Sequence, residues 1–325
     1  MATARKAKPA SLAYKGKRIG ETRNLRTNLS YLLMLLPGVI VLIINNYIPM
    51  IGVLLPFKKY RYAGGFFSSI FGSPWVGLSN FKFLFASPNI LQATKNTVLY
   101  NLLFIALGIV VPVVMAISLT ELHNKRLSKL YQSSFFLPYF LSWIVISYLA
   151  FSFLSFDNGF LNNLFESLGL ERMNWYFETK AWPFILTFFQ LWKYTGYNIV
   201  IYIATISGIS SEYYEAATLD GASKWQQVRF ITLPMLKTVI IITTLFAIGR
   251  IFNSDFGLFY SVPRNTGALY SVTNTIDTLV YIMLRNSNDV GMTSAASFYQ
   301  AVVGCITVFL ANGVIRKIDK EQALF

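Results

Sequence analysis

Residues 215–234 read EAATLDGASKWQQVRFITLP, a polar stretch set between two long apolar runs. Ser210 and Ser211, just before it, can cap a helix, and Glu212 and Glu215 are expected in that helix's first turn, where the dipole favours acids. Ala216 and Ala217 extend the helix with high propensity and little bulk. Asp220-Gly221 then breaks it, glycine supplying the left-handed conformation that ends many helices. Ser223-Lys224-Trp225-Gln226 has the spacing of a capping box for a second short helix. Pro234 suits the first turn of the following run, where no amide donor is needed. The expected unit is a helix, a tight turn and a second helix lying across the ends of two apolar segments. Two readings stand at this level. It is either a connector lying flat on a membrane, with Trp225 as its anchor, or a small-faced helix shaped to enter a groove in another protein.

The flanking runs set the fold class. Of 325 residues, 54% are hydrophobic and only 13% charged, with a mean hydropathy of +0.50. A soluble domain carries about 25% charged residues. Six apolar segments are near the length that crosses a bilayer: about Leu29–Leu55, Thr94–Leu119, Phe135–Phe156, Trp182–Ile206, Leu233–Phe252 and Ala295–Ile315. Backbone groups in lipid must be satisfied internally, so these segments are expected to be helices. Pro37, Pro49, Pro112 and Pro138 fall within or near them, as kinks that neighbouring helices can cover. The expectation is an all-α integral membrane protein with six transmembrane helices. Residues 1–28 form a basic tail, residues 29–318 a single transmembrane domain, and residues 319–325 a short second tail. The long polar start and the absence of a clear A-x-A site argue for a retained first span over a cleaved signal peptide.

The formal net charge of +14 needs a location before it has a meaning. Eight Lys/Arg precede the first apolar run, with Glu21 the only acid among them. A basic flank beside an apolar span is the positive-inside signal, a better account than a nucleic-acid arm. With the N-terminus inside, sixteen Lys/Arg lie in cytoplasmic segments and eight in outer ones. That bias supports cytoplasmic N- and C-termini, although Lys58, Lys59 and Arg61 after the first span run against it.

Enzymatic classes find little support. The single Cys305 lies in an apolar run and the single His123 beside Lys125 and Arg126, so neither a His/Cys metal site nor His-dependent catalysis is expected. No GxxxxGK[ST] occurs, so the chain has no phosphate-cradling loop. A membrane glycosyl- or lipid-modifying enzyme would need convergent carboxylates, and the acids are few, scattered and mostly in loops.

Polar groups inside a membrane are expensive and mark a pathway by default. Gln190, Lys193, Tyr194, Tyr197 and Asn198 recur at i, i+3, i+4, i+7 and i+8 on one helical face of the fourth segment. Thr243, Arg250, Asn253 and Ser254 share a face of the fifth. Amides, hydroxyls and aromatic rings together suit carbohydrate. The bland alternatives are that Lys193 and Arg250 snorkel to outer headgroups, that Arg250 pairs with Asp255, and that the tyrosines belong to an interfacial belt. Lys193 and Arg250, against the one nearby Asp255, hint at an anionic sugar such as a uronate oligomer; a neutral oligosaccharide is the alternative.

The stretch that begins at Glu215 resembles the EAA motif, EAAxxDGAxxxxxFxxIxLP, of permease subunits in ATP-binding-cassette importers. Glu215, Ala216, Ala217, Asp220, Gly221, Ala222, Ile231, Leu233 and Pro234 match it in spacing, and Val228, where an aromatic is common, departs from it. LLPGVIVLIINNYIPMIGVLLPFKKY, WVGLSNFKFLF and FFLPYFLSWIV are similar to the sugar-importing, maltose-type branch, especially permeases for complex and acidic oligosaccharides such as alginate. The resemblance implies the type I importer permease fold and no enzymatic activity in this chain. It implies a coupling helix that docks in a cleft of an ATPase subunit through Glu215, Ala216, Ala217, Asp220, Gly221, Leu233 and Pro234. In that role Glu215 would meet basic groups, the alanines would allow close approach and Gly221 would make the turn. It also implies partners: a second permease chain, two ATPase copies that bind the ATP and Mg, and an extracytoplasmic solute-binding protein, assembled in a bacterial inner membrane around an oligosaccharide substrate.

Overall fold

Residues 25–287 and 289–318 are described by the computed structural model; the tails expected before residue 25 and after residue 318 lie outside the described residues. Two units are distinguished, one ending at Gly52 and one beginning at Val53. The first holds α1 (Leu25–Leu42), a π-helical turn (Ile43–Tyr47) and α2 (Ile48–Met50). From Leu29 to Ile44 its Leu, Ile and Val side chains are exposed all round the helix, as suits a helix whose solvent is lipid. The Asn45 side chain folds back to donate to the Val41 carbonyl at 2.9 Å, so its amide is satisfied within the helix.

The second unit contains two short helices, α3 (Phe66–Gly72) and α4 (Ser79–Ala86), followed by the 34-residue α5 (Pro88–Glu121). Next come α6 (Lys125–Phe136), a 3₁₀ turn (Leu137–Phe140), α7 (Trp143–Leu154) and α8 (Phe160–Ser167). The 26-residue α9 (Trp182–Ser207) leads into α10 (Ser211–Leu219), α11 (Lys224–Gln227) and α12 (Leu233–Ile248). The chain ends in α13 (Tyr270–Thr273), α14 (Ile276–Ser287) and α15 (Val290–Ile318). Apart from an isolated bridge between Lys58 and Trp75, the described residues are helix and loop, as the composition led one to expect.

The core of this unit is the long contact of α5 with α9. One buried cluster gathers Tyr100, Ile146, Trp182, Leu186, Leu258 and Phe259, and another gathers Val113, Ala116, Ile199, Tyr202 and Leu236. Gly196 lets α9 touch the end of α6, because a Cβ there would stand 2.0 Å from the Phe135 carbonyl oxygen.

Four helical runs are long and apolar enough to cross a membrane: Tyr31–Phe57, Pro88–Glu121, Lys224–Ile248 and Val290–Lys317. The expected single helix over Phe135–Phe156 is corrected. It is broken at Leu141–Ser142, just after the 3₁₀ turn that holds Pro138, and the two arms meet at 101°, making a fifth crossing only if the bent pair counts as one. The fourth expected segment is a continuous helix, α9, but its internal Gln, Lys, Tyr and Asn side chains remove it from the set marked by hydropathy. The fifth runs from Lys224, ahead of the expected start, and its helix ends at Ile248 rather than Phe252.

Three π-helical turns occur among the described residues, at Ile43–Tyr47, Val228–Thr232 and Gly257–Ser261. Each ends two residues before a proline: Pro49, Pro234 and Pro263. Proline has no N–H for the carbonyl four residues back, and its ring crowds that carbonyl. Widening the preceding turn lets the ladder slip by one residue, so that Ile48 N–H reaches the Ile43 carbonyl and Leu233 N–H the Val228 carbonyl. Pro37 and Pro112 sit inside α1 and α5 without such a turn.

Candidate functional site

The polar hairpin folds as its caps dictate. Ser210 Oγ accepts from Glu212 N–H, and α10 closes in a Schellman motif: Ala222 N–H reaches the Ala217 carbonyl at 2.8 Å and Gly221 N–H the Thr218 carbonyl at 3.0 Å. Gly221 makes the turn at φ +79°, and Asp220 is the C-cap of α10. Ser223 and Gln226 form a reciprocal capping box at the start of α11. One detail is corrected: Glu212 is the only acid in the first turn of α10, and Glu215 lies a turn further on. The second helix is also not a separate piece, since α11 runs through a π turn into α12.

Side chains fasten this hairpin to the spans. Gln227 is buried and donates to Thr218 at 2.9 Å, Tyr214 and Thr232 share a 3.0 Å hydroxyl contact, and Lys224 pairs with Glu121 at the end of α5 at 3.1 Å. Yet α10 buries no residue of its own. Glu215 and Ala216 are exposed, Ala217 is half-buried, and Leu219 is 89% exposed. Trp225 and Phe230 stand out beside them, while Leu233 is half-buried and Pro234 exposed. The hairpin thus displays apolar side chains, Leu219, Trp225 and Phe230, that its own fold does not bury.

A second locus is a cavity of about 450 Å³ between α5, α9 and α12. Gln190, Tyr194 and Asn198 of α9 line it, together with Arg250 and Asn253 from the turn after α12. Arg250 and Asn253 arrive there through a turn rather than along a helical face, because α12 has already ended. The Gln190 side-chain carbonyl is buried without a hydrogen-bond partner. Arg250 is exposed, and among the described residues it forms no ion pair; the alternative pairing with Asp255 is not made. Asp255 instead accepts from Tyr194 OH at 2.8 Å and Gly257 N–H at 3.0 Å.

Lys193 and Tyr197 lie elsewhere. Lys193 is buried, donates from Nζ to the Tyr139 carbonyl at 3.0 Å and to the Leu141 carbonyl, and sits 5.3 Å from the centre of the Trp143 ring. It caps the break between α6 and α7 instead of snorkelling. Tyr197 stacks on Tyr139 at 4.9 Å and 15°. Asn101 of α5 escaped the sequence reading, although a lone amide in an apolar span is itself a signal. It lines the cavity and donates to the carbonyls of Ile251 and Asn253 at 2.8 and 2.9 Å, fixing the turn that carries Arg250. Asp277, also missed, accepts from Ser254 N–H and Oγ and from Gln300 Nε2, and so anchors the same turn from behind.

Residues 108–320, well over half of the chain, match the family described as the binding-protein-dependent transport system inner membrane component. Over 321 residues the chain is 30% identical to protein LplB of Bacillus subtilis (strain 168), covering 99% of each. It is 32% identical over 289 residues to the polygalacturonan/rhamnogalacturonan transport system permease protein YteP of the same organism, covering 89% of this chain and 88% of that one. A crystal structure of a bacterial ABC transporter involved in the import of the acidic polysaccharide alginate superposes with a TM-score of 0.82 at 28% identity, over 91% of this chain and 98% of that one. With its helical spans, its EAA-type hairpin and this match, the chain belongs to the inner-membrane permease components of binding-protein-dependent ABC transport systems, as a multi-pass, non-catalytic subunit.

Proposed function

We propose that this chain forms half of the translocation pathway of a carbohydrate importer, that its cargo is an acidic oligosaccharide, and that the hairpin at Glu215–Pro234 couples the pathway to ATPase subunits. The observation that carries the cargo reading is the cavity between α5, α9 and α12. It offers amides and hydroxyls for sugar hydroxyls, a Tyr194 ring for a pyranose face, and in Arg250 a cation without an ion-pair partner among the described residues. The uronate reading gains support from the relative named for polygalacturonan and rhamnogalacturonan and from the neighbour that imports alginate. Gln190, Tyr194, Asn198, Arg250 and Asn253 are the contacts we assign to cargo, with Lys193 and Tyr197 holding the α6–α7 break behind them.

The same reading makes residues 29–318 one six-span domain with cytoplasmic termini. The sixth crossing is α9, about 39 Å long at 1.5 Å per residue and packed along the spanning α5. A second permease supplies the other half, two ATPase copies bind ATP and Mg, and an extracytoplasmic binding protein delivers the cargo. The test is uptake by the assembled transporter in proteoliposomes, with a galacturonate tetramer and maltotetraose as alternative cargoes. Arg250→Ala is expected to lower galacturonate uptake about tenfold or more, the scale of one charge-assisted hydrogen bond. Equal uptake by Arg250→Ala and the parent protein, or a preference of the parent for maltotetraose, returns the cargo to the neutral class.

A further inference from the structure

A second cleft, of about 420 Å³, lies between α7 and the segment that follows the cavity's Asp255. Ile144, Ser147 and Tyr148 of α7 form one wall, and Tyr260, Ser261, Arg264 and Asn265 form the other. Arg264 and Asn265 both take left-handed backbone, at φ 56° and 49°. Asn tolerates that region and Arg does so far less readily, so an Arg held there is an unusual feature for a simple turn. The turn is nonetheless fully tied. Arg264 N–H reaches the Ser261 carbonyl and Asn265 N–H the Tyr260 carbonyl, each at 3.0 Å, and Tyr270 OH donates to Asn265 Oδ1 at 2.9 Å.

The strained turn fixes one cation. The Arg264 guanidinium lies 4.1 Å from the centre of the Phe151 ring, so one face is covered by an aromatic surface. The residue is exposed, and among the described residues no carboxylate pairs with it. Tyr260 is fixed as well, stacked on Phe256 at 4.8 Å and bonded at its hydroxyl by Arg285 at 3.3 Å. Tyr148 across the cleft is 66% exposed. A hollow with two aromatic rings, two serine hydroxyls and a stacked guanidinium has the chemistry of a sugar carrying a carboxylate.

We propose that this cleft is a second carbohydrate subsite, which takes a uronate ring of the cargo with its carboxylate on the Arg264 guanidinium and its faces between Tyr148 and Tyr260. The proposal rests on the acidic-oligosaccharide reading. It adds a station to the pathway: Asp255 lines the cavity and Tyr260 lines the cleft, and the π turn Gly257–Ser261 runs between them. An oligomer long enough to reach both would be held at both, whereas a short one would occupy either alone.

The test is equilibrium binding of fluorescently labelled galacturonate and alginate tetramers to the assembled permease–ATPase complex in nanodiscs. The variants are Arg264→Gln, Arg264→Gly, which relieves the left-handed backbone while removing the guanidinium, and Tyr148→Ala. Each is expected to weaken tetramer binding about tenfold, and both Arg264 variants to flatten its salt dependence. If the parent complex binds neither acidic tetramer, the cargo reading fails and the cleft assignment falls with it. If the parent binds them and Arg250→Ala weakens binding while all three cleft variants leave it unchanged, the cleft assignment alone is wrong. If the Arg264 variants instead separate the two permease chains on gel filtration, the guanidinium serves the subunit contact and the assignment is equally overturned.

Discussion

Lys193 shows how far a single residue can depart from the face on which it was read. On a helical wheel it belongs with Gln190, Tyr194 and Asn198, and those three do line the cavity. Its long stem carries the ammonium past that face to two carbonyls at Tyr139 and Leu141, more than 50 positions away in sequence. Removing it leaves those carbonyls buried and unpaired, at a cost of about 1–3 kcal/mol each. Lys193→Met is therefore expected to lower the thermal unfolding temperature of the purified permease, whereas tetramer binding by the folded fraction changes less than twofold. A large loss of binding at unchanged stability would return Lys193 to the cargo path. Gly196, one turn further along, is the companion case. In Gly196→Ala the new methyl group meets the Phe135 carbonyl, and the stability of the α6–α9 contact is expected to fall by about 1–3 kcal/mol, read in the same unfolding experiment. Neither role is visible in the sequence, because each depends on a residue brought near only by the fold.

At the scale of elements, what was legible is what is local. The caps of α10 and α11, the glycine turn between them and the apolar character of the spans all follow from neighbours within five positions. The bend at Leu141–Ser142 does not, since hydropathy runs unbroken through Phe135–Phe156 and the carbonyls freed by the break are answered from α9. The π turn at Val228–Thr232 was partly legible: Pro234 signalled a special position, but not that the ladder would widen ahead of it. That turn is the only joint between α11 and α12, and its register sets how the hairpin is rotated about the span. Pro234→Ala restores the amide and favours a regular helix, turning α11 by about 100°, the rotation of one residue in a 3.6-residue turn. Coupling changes of about 0.5–2 kcal/mol are common along such joints. The expected result is a fall of about 2- to 30-fold in ATP hydrolysis stimulated by the loaded binding protein, with assembly intact. Undiminished stimulation would make the π turn a packing detail.

For the whole molecule, the division of labour follows from where charge is placed. The sequence contains no GxxxxGK[ST], and in the described residues no cluster of His, Cys, Asp or Glu could hold a metal. Its family membership makes it the membrane component of a larger machine. The hairpin is fastened to α5 through Lys224 of α11 and Glu121, and α10 to the π turn through Tyr214 and Thr232, while Glu215, Ala216 and Leu219 stay open. Of these, only Glu215 brings a charge, and among the described residues no side chain of this chain pairs with it. Its reversal should therefore cost the fold nothing and the assembly a great deal. Glu215→Lys is expected to leave thermal unfolding of the isolated permease within about 0.5 kcal/mol of the parent, while binding of the ATPase subunits weakens by about 2–5 kcal/mol, the scale of a disrupted interfacial charge pair. Acidic substitutions on the ATPase surface that recover binding would identify the facing basic group, and a Glu215→Lys permease that binds its ATPase normally would remove this hairpin from the coupling path.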